Sequence, residues 1–142
     1  GAWPATPTAD TGQSAAGTDD TPARDLRRRM QELAWRHAGV VRDAEGLAQG
    51  MAALAELTPR IQCRPCPSPR DRRARHDLWS MARVLQVILA ASLARRESRG
   101  CFLRRDYPAQ DDAAWRQNSR ATLVAGTPHL RVEHVPAAAP EA

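Results

Sequence analysis

The most apolar stretch of the chain, MARVLQVILAASLA at positions 81–94, sets the strongest limit on how the sequence can fold. Its large apolar residues recur at helical spacing, which is typical of an amphipathic helix with one buried face. Arg83 and Gln86 interrupt the run, so it falls short of the roughly 18 consecutive apolar residues that a membrane-spanning helix needs. We predict a helix over residues 71–98, with a core face formed by Leu78, Met81, Ala82, Leu85, Ile88, Leu89, Ser92 and Leu93.

Two segments upstream show the same spacing. One begins at Thr21-Pro22, where Thr is a good N-cap and Pro suits the first helical position. The other follows the N-cap candidate Asp43 and is limited by Pro59. Their apolar faces are Leu26, Met30, Leu33 and His37 in the first, and Leu47, Met51, Leu54, Leu57 and Ile61 in the second. Since one amphipathic helix cannot bury its apolar face alone, we predict an all-α fold, an antiparallel three-helix bundle of the spectrin-repeat type.

The apolar pattern changes after Gly100. The stretch CFLRRDYP at 101–108 reads as an extended segment, DDAAWRQNSR at 111–120 as a short helical or capped turn, and ATLVAGTPHLRVEHV at 121–135 as two short strands about a Gly-Thr-Pro turn. The loop CRPCPSPR at 63–70 holds three Pro and separates the second and third helices. We predict a linker or disordered tail over 1–20, a helical domain over 21–120, and a short extended segment with a frayed end over 121–142.

The basic residues of the chain are unusual in type. All 21 are Arg, against 16 Asp and Glu, which gives a formal net charge of +5. Such a balance can indicate nucleic-acid binding, because contacts to phosphates supply most non-specific affinity. Acidic residues are interspersed with the Arg residues, however, and aromatic residues that could stack on bases make up only 4% of the chain. A self-standing module that binds nucleic acid or a protein is therefore kept only as an alternative.

The cysteines raise the question of a metal site. Cys63 and Cys66 have the spacing of a ligand pair and could join His76 and Cys101 in a Cys3His zinc set. A second closely spaced pair is missing, so we predict no metal and keep Cys63 and Cys66 as weak candidates. An odd number of cysteines and the absence of a signal-peptide pattern at the start favour a reducing, cytoplasmic location. The sequence has no GxGxxG or P-loop pattern and no nucleophile elbow, which predicts no cofactor cradle and no catalytic residue in this chain.

Three stretches together carry a resemblance to a known family: LRRRMQELAWRHAGVVRDAEGL, VLQVILAASLARRESRG and RRDYPAQDDAAW. Over residues 24–120 they are similar to the C-terminal helical domain of the flavoproteins related to succinate dehydrogenase and fumarate reductase. Met30, the run from Gly39 to Arg42, and Leu47 look most like the L-aspartate oxidase branch, and the succinate and fumarate branch is the alternative. Phe102 departs from the family pattern, which usually has His at this place.

The resemblance implies a larger enzyme with an FAD-binding domain, a capping domain over the substrate, and this helical domain at the end. The implied chemistry is hydride transfer from L-aspartate to FAD, giving iminoaspartate for NAD biosynthesis. The flavin-binding and substrate-binding residues of the family lie in the other two domains, so this chain alone should bind no FAD and be inactive. Its expected role is to pack on the flavin domain, with Gly100 ending the third helix. The interface residues that we predict are Glu97, Ser98, Arg99, Gly100, Asp106 and Tyr107.

Overall fold

The computed structural model describes residues 21–124 and 130–136. Three long helices form most of it, and each contacts the other two: α1 (Thr21–Ala38), α2 (Ala44–Gln62) and α3 (Pro69–Ala94). The remaining elements are α4 (Asp112–Trp115) and the strands β1 (Val41–Arg42), β2 (Leu103–Arg104), β3 (Gln117–Leu123) and β4 (Leu130–Pro136). The chain is mostly helical, as predicted, but its two small sheets make the predicted all-α class too narrow.

The core lies where the three long helices meet. The predicted apolar faces supply most of it, and Ala23 and Gly50 are buried as well. The buried hydrophobic residues are Ala23, Leu26, Met30, Leu33, Leu47, Leu54, Leu57, Ile61, Leu78, Ala82, Leu85 and Leu89. The prediction was wrong for Ile88 and Leu93, which are 39% and 37% exposed, because they lie at the margin of the buried stripe of α3.

Local capping explains where α2 and α3 begin. The Asp43 carboxylate accepts a hydrogen bond from the Gly46 amide at 2.8 Å, which confirms Asp43 as an N-cap. Helix α3 begins at Pro69, before the predicted position 71, because Ser68 and Asp71 form a capping box. The Asp71 amide donates to the Ser68 hydroxyl at 3.1 Å, and the Ser68 amide donates to the Asp71 carboxylate at 3.2 Å. The pKa of Asp71 is lowered mainly by its hydrogen bond from the Ser68 side chain.

Pro59 and Gly50 are two residues within α2 that are unusual in a helix interior. Pro59 was predicted to limit the helix, but α2 continues to Gln62, where the fully buried Ile61 holds the last turn against the core. Gly50 allows α1 to approach α2 closely, because a Cβ atom at this position would lie 2.7 Å from the Cβ atom of His37. His37, predicted on the apolar face of α1, is thus partly buried in a helix contact.

The two sheets lie at different places in the chain. Strand β1 pairs in parallel with β2, with Val41 opposite Leu103, whereas β3 and β4 form an antiparallel hairpin across the predicted boundary at residue 120. The short helix α4, capped by Asp111, confirms the first part of the turn predicted for 111–120, but the prediction was wrong for 117–120, which belong to β3. The Trp115 ring of α4 contacts the His134 ring of β4 edge-on, with 4.5 Å between the ring centres. The predicted tails over 1–20 and 137–142, and the Gly-Thr-Pro turn over 126–128, lie outside the described residues.

Helix α3 is long, and its apolar residues raise the question of a membrane span. By length and composition alone, this one helix among residues 21–124 and 130–136 qualifies, with a mean hydropathy of 1.3 over an 18-residue window. The central helix of a folded domain passes the same test. Leu78, Leu85 and Leu89 of α3 are in fact buried in the core shared with α1 and α2.

Candidate functional site

The segment after α3 is held by an arginine that is almost fully buried. Arg104 is 1% exposed and caps the C-terminal end of α3, because its Nη1 donates to the carbonyl oxygens of Ser92 at 2.5 Å and Arg95 at 2.7 Å. Its Nε and Nη2 donate to the two carboxylate oxygens of Asp106 at 2.8 and 2.6 Å. A cation at this end of a helix also interacts favourably with the helix dipole. Arg104 therefore caps the C-terminal end of α3, and its bidentate ion pair with Asp106 holds the guanidinium in place.

Asp106 connects the capped end of α3 to the start of α2. Its Oδ2 also accepts a hydrogen bond from the Ala44 amide at 3.1 Å, at the first turn of α2. Hydrogen bonds from the Arg104 side chain are the main cause that lowers the pKa of Asp106 to about 2, and they outweigh the effect of its partial burial. The carboxylate is thus charged at neutral pH and joins the start of α2 to the end of α3.

Arg42 does for α1 what Arg104 does for α3. Its Nε and Nη2 donate to the carbonyl oxygens of Gly39 at 2.6 Å and Ala38 at 3.0 Å, where α1 ends, and its Nη1 donates to the Ser92 hydroxyl at 2.7 Å. The guanidinium lies 5.0 Å from the centre of the Phe102 ring, a cation–π contact. Burial lowers the pKa of Arg42 from its ordinary value. Arg42, Ser92, Arg104 and Asp106 form one helix-end cluster.

A second cluster surrounds Glu97, whose side chain is fully buried. The carboxylate accepts hydrogen bonds from Arg95, from Arg99 Nε at 2.9 Å, and from the Asp111 amide at 3.0 Å. Burial raises the pKa of Glu97, but the hydrogen bonds from Arg99, the Asp111 amide and Arg95 outweigh it and lower the pKa to about 2. Arg99 also donates to Asp112 at 2.5 Å, and its two carboxylate partners raise its pKa. Arg95, Glu97, Arg99 and Asp112 form the Glu97 cluster.

Helix α3 ends earlier than predicted, at the point where the two clusters begin. The helix was expected to run to Ser98 and to end at Gly100, but it ends at Ala94 with Arg95 as C-cap. The physical reason is that Arg104 and the Glu97 cluster offer hydrogen bonds that continuing the helix would forfeit. Gly100 does adopt the left-handed region, with φ of 57°, but it does so in a tight turn where Arg99 and Phe102 exchange backbone hydrogen bonds of 2.8 and 2.9 Å.

The structure brings the six predicted interface residues into one region. Glu97 and Ser98 are buried within the chain, and the Ser98 hydroxyl accepts from the Arg104 amide at 2.8 Å. Arg99 is half-buried, whereas Gly100 and Tyr107 are exposed, with the Tyr107 ring 5.1 Å from the Arg104 guanidinium carbon. Sequence reasoning missed Arg42, Arg95 and Arg104, although the presence of Ser92 on the predicted core face indicated a polar partner nearby.

The cysteines are not brought together into a metal site. Cys63 is the C-cap of α2 and is exposed, Cys66 is partly buried in the following loop, and Cys101 lies in the tight turn after α3. Within the described ranges, 21–124 and 130–136, no group of three or more His, Cys, Asp and Glu side chains is arranged to hold a metal ion.

Comparison with known proteins adds family evidence to this geometry. A family model described as the fumarate reductase flavoprotein C-term matches residues 27–140. The chain belongs to this family. It is 36% identical over 107 residues to L-aspartate oxidase of Rhodospirillum rubrum, covering 74% of this chain and 33% of that protein. It is 29% identical over 103 residues to the fumarate reductase flavoprotein subunit of Helicobacter pylori, covering 69% of this chain and 14% of that protein.

Solved structures of two larger proteins contain the same fold. The chain aligns with E. coli quinol fumarate reductase FrdA at a TM-score of 0.72 and 21% identity, over 84% of this chain and 22% of that one. It aligns with adenylylsulfate reductase of Archaeoglobus fulgidus at a TM-score of 0.76 and 18% identity, over 82% of this chain and 19% of that one. The chain therefore spans a third or less of the length of these relatives.

Proposed function

We propose that this chain is the C-terminal helical scaffold domain of an FAD-dependent L-aspartate oxidase, the enzyme that converts L-aspartate to iminoaspartate for NAD biosynthesis. The observation that carries the proposal is the higher identity to the Rhodospirillum L-aspartate oxidase, 36%, than to the Helicobacter fumarate reductase subunit, 29%. The alternative is a C-terminal domain of a succinate dehydrogenase or fumarate reductase flavoprotein subunit. In either case the role of the domain is to brace a flavin-binding domain.

We expect no flavin site within this chain, and the N-termini of α2 and α3 support that expectation. A dinucleotide pyrophosphate typically binds at a free helix N-terminus, where amide groups point at the phosphates. The N-termini of α2 and α3 already hold the carboxylates of Asp43 and Asp71. The charged groups at the end of α3 bond to one another in the two clusters. FAD and L-aspartate would thus bind in the flavin-binding and capping domains of a full-length, cytoplasmic enzyme, and the chain alone would be inactive.

The two clusters support a scaffold role for residues 21–120. The ion pairs of the buried Glu97 and Arg104, with the more exposed pair of Arg99 and Asp112, tie together the backbone from 95 to 112. This segment therefore presents a defined edge. We propose Arg99, Gly100 and Tyr107 as the part of the edge that contacts the flavin domain. Glu97, Ser98 and Asp106 hold that edge in position from within the chain.

A graft tests the proposed function. In a chimera, this chain replaces the matching C-terminal segment of the Rhodospirillum L-aspartate oxidase, and retained FAD and L-aspartate oxidation are measured. We expect the chimera to keep its flavin and oxidise L-aspartate, whereas the isolated chain mixed with FAD and L-aspartate should show no turnover. The matched control is the same graft into the Helicobacter fumarate reductase subunit. Better function in that graft would favour the fumarate branch, and turnover by the isolated chain would contradict the scaffold role.

A further inference from the structure

A large apolar side chain of α1 lies almost entirely in solvent. Trp35 is 86% exposed, and the nearby Val40 and Val41 are 63% and 47% exposed. These three residues line an open groove of about 760 Å³ together with Gln31, Ala34, Ala38, Gly39, Arg42 and Cys101. We refer to this surface as the Trp35 groove. Single exposed apolar residues are common, but a contiguous apolar patch with an exposed Trp is typical of a contact surface.

The backbone beside the groove is also open. Both residues of strand β1 line the groove, and this strand belongs to a sheet of only two strands within the described part of the chain. The Leu103 and Arg105 amides donate to the carbonyl oxygens of Val40 and Arg42, so β2 occupies one edge of β1. Because backbone groups alternate in direction along a strand, those of Val41 face the other edge. An edge strand flanked by apolar side chains is a template for pairing with another segment.

The groove adjoins the edge already proposed for docking. Cys101 lies in the tight turn from Arg99 to Phe102 and also lines the groove. Phe102 packs on Arg42, which connects the turn to β1. A partner in contact with Arg99 and Gly100 would therefore lie beside the Trp35 groove. Two-thirds or more of each flavoprotein relative lies outside the region that this chain matches, which leaves ample partner surface.

We infer that the Trp35 groove is a docking surface for the flavin-binding domain, with Trp35 as the buried anchor and the free edge of β1 as a pairing site for an extended segment. The inference rests on the proposed function and adds to it a second contact, separate from the Arg99 and Tyr107 edge. Its chemistry is specific: the opposing surface presents apolar side chains and a strand edge rather than acidic groups.

The test uses the exposure of Trp35 in the chain itself. Trp35→Glu and Val40→Glu are made both in the 142-residue chain and in the L-aspartate oxidase chimera. A side chain that is exposed in the chain but buried in the enzyme should destabilise only the enzyme when it becomes charged. We expect the thermal midpoint of the chimera to fall by roughly 2–4 °C or more. The midpoint is measured by flavin fluorescence. Val124→Glu is the control, since Val124 is 41% exposed, directly follows β3, and does not line the groove.

The outcomes separate the two proposals. A fall in the chimera alone, with the isolated chain unchanged by circular dichroism, supports the docking surface. An equal fall in both proteins, or no fall in either, overturns it while leaving the scaffold function intact. A parent chimera that does not retain FAD contradicts the proposed function, and the docking surface is rejected with it.

Discussion

Removal of the Arg104 guanidinium should lower the free energy of unfolding more than the removal of an exposed side chain. Arg104→Met keeps much of the apolar stem but removes the ion pair with Asp106 and the donors to two carbonyl oxygens at the end of α3. Breaking a buried ion pair by removing one partner costs about 3–5 kcal/mol. Water can partly solvate Asp106, whose side chain is 29% exposed, so the lower end of that range, about 3 kcal/mol, is expected.

The neighbouring residue gives a matched control for this change. Arg105 lies 3.4 Å from the Asp43 carboxylate, but its side chain is 74% exposed, and such surface pairs contribute about 0–1 kcal/mol. The free energy of unfolding is measured by urea titration with circular dichroism for the parent chain, Arg104→Met and Arg105→Met. If the two variants differ by less than about 1 kcal/mol, the helix-capping role of Arg104 is refuted, since a value that small matches an exposed pair.

Three further predictions concern the same region and the start of α3. The pKa of Glu97 is about 2 in the folded chain, against an ordinary value of 4.5. Its contribution to the free energy of unfolding is therefore complete above the unfolded pKa and is lost as the pH falls through about 2. Between these two values, the acid unfolding of Glu97→Gln should be less steep than that of the parent chain. Gly100→Ala should cost about 1 kcal/mol because of its positive φ, although nothing lies within 4 Å of an added Cβ, and a stability unchanged in urea would argue against strain. Ser68→Ala should cost about 1 kcal/mol by removing an N-cap, measured against Ser80→Ala in the middle of the helix.

The helices could be predicted from the sequence because their signals are local. The spacing of Leu26, Met30 and Leu33, and the cap at Asp43, depend only on residues a few positions apart, and the structure confirms them. The end of α3 could not be predicted in this way. It depends on Arg104, ten residues beyond Ala94, whose donors compete with the helical hydrogen bonds.

The candidate site shows the same division. The stretch from Glu97 to Tyr107 stood out in the sequence by its charges, but its side chains could not be assigned to inside or outside. Glu97 and Arg104 are almost fully buried although charged residues are usually exposed, because each finds several hydrogen-bond partners. Some of these partners, such as the Asp111 amide and the Ser92 carbonyl oxygen, lie more than ten positions away and could not be assigned from the sequence. The predicted interface role of this stretch stays a prediction, and the proposed graft addresses it.

The hydrogen bond between the Ala44 amide and Asp106 has a consequence for the order in which the chain assembles. The two residues are 62 positions apart, and Asp106 also follows the end of α3 at Ala94, so α2 and α3 are synthesised before the carboxylate that joins their ends. Contacts between distant positions form late, because the loop between them must first be closed. During synthesis the three helices can thus collapse on their apolar faces while their ends remain open. We expect the ends of α2 and α3 to be joined only once residues 104–106 have been synthesised.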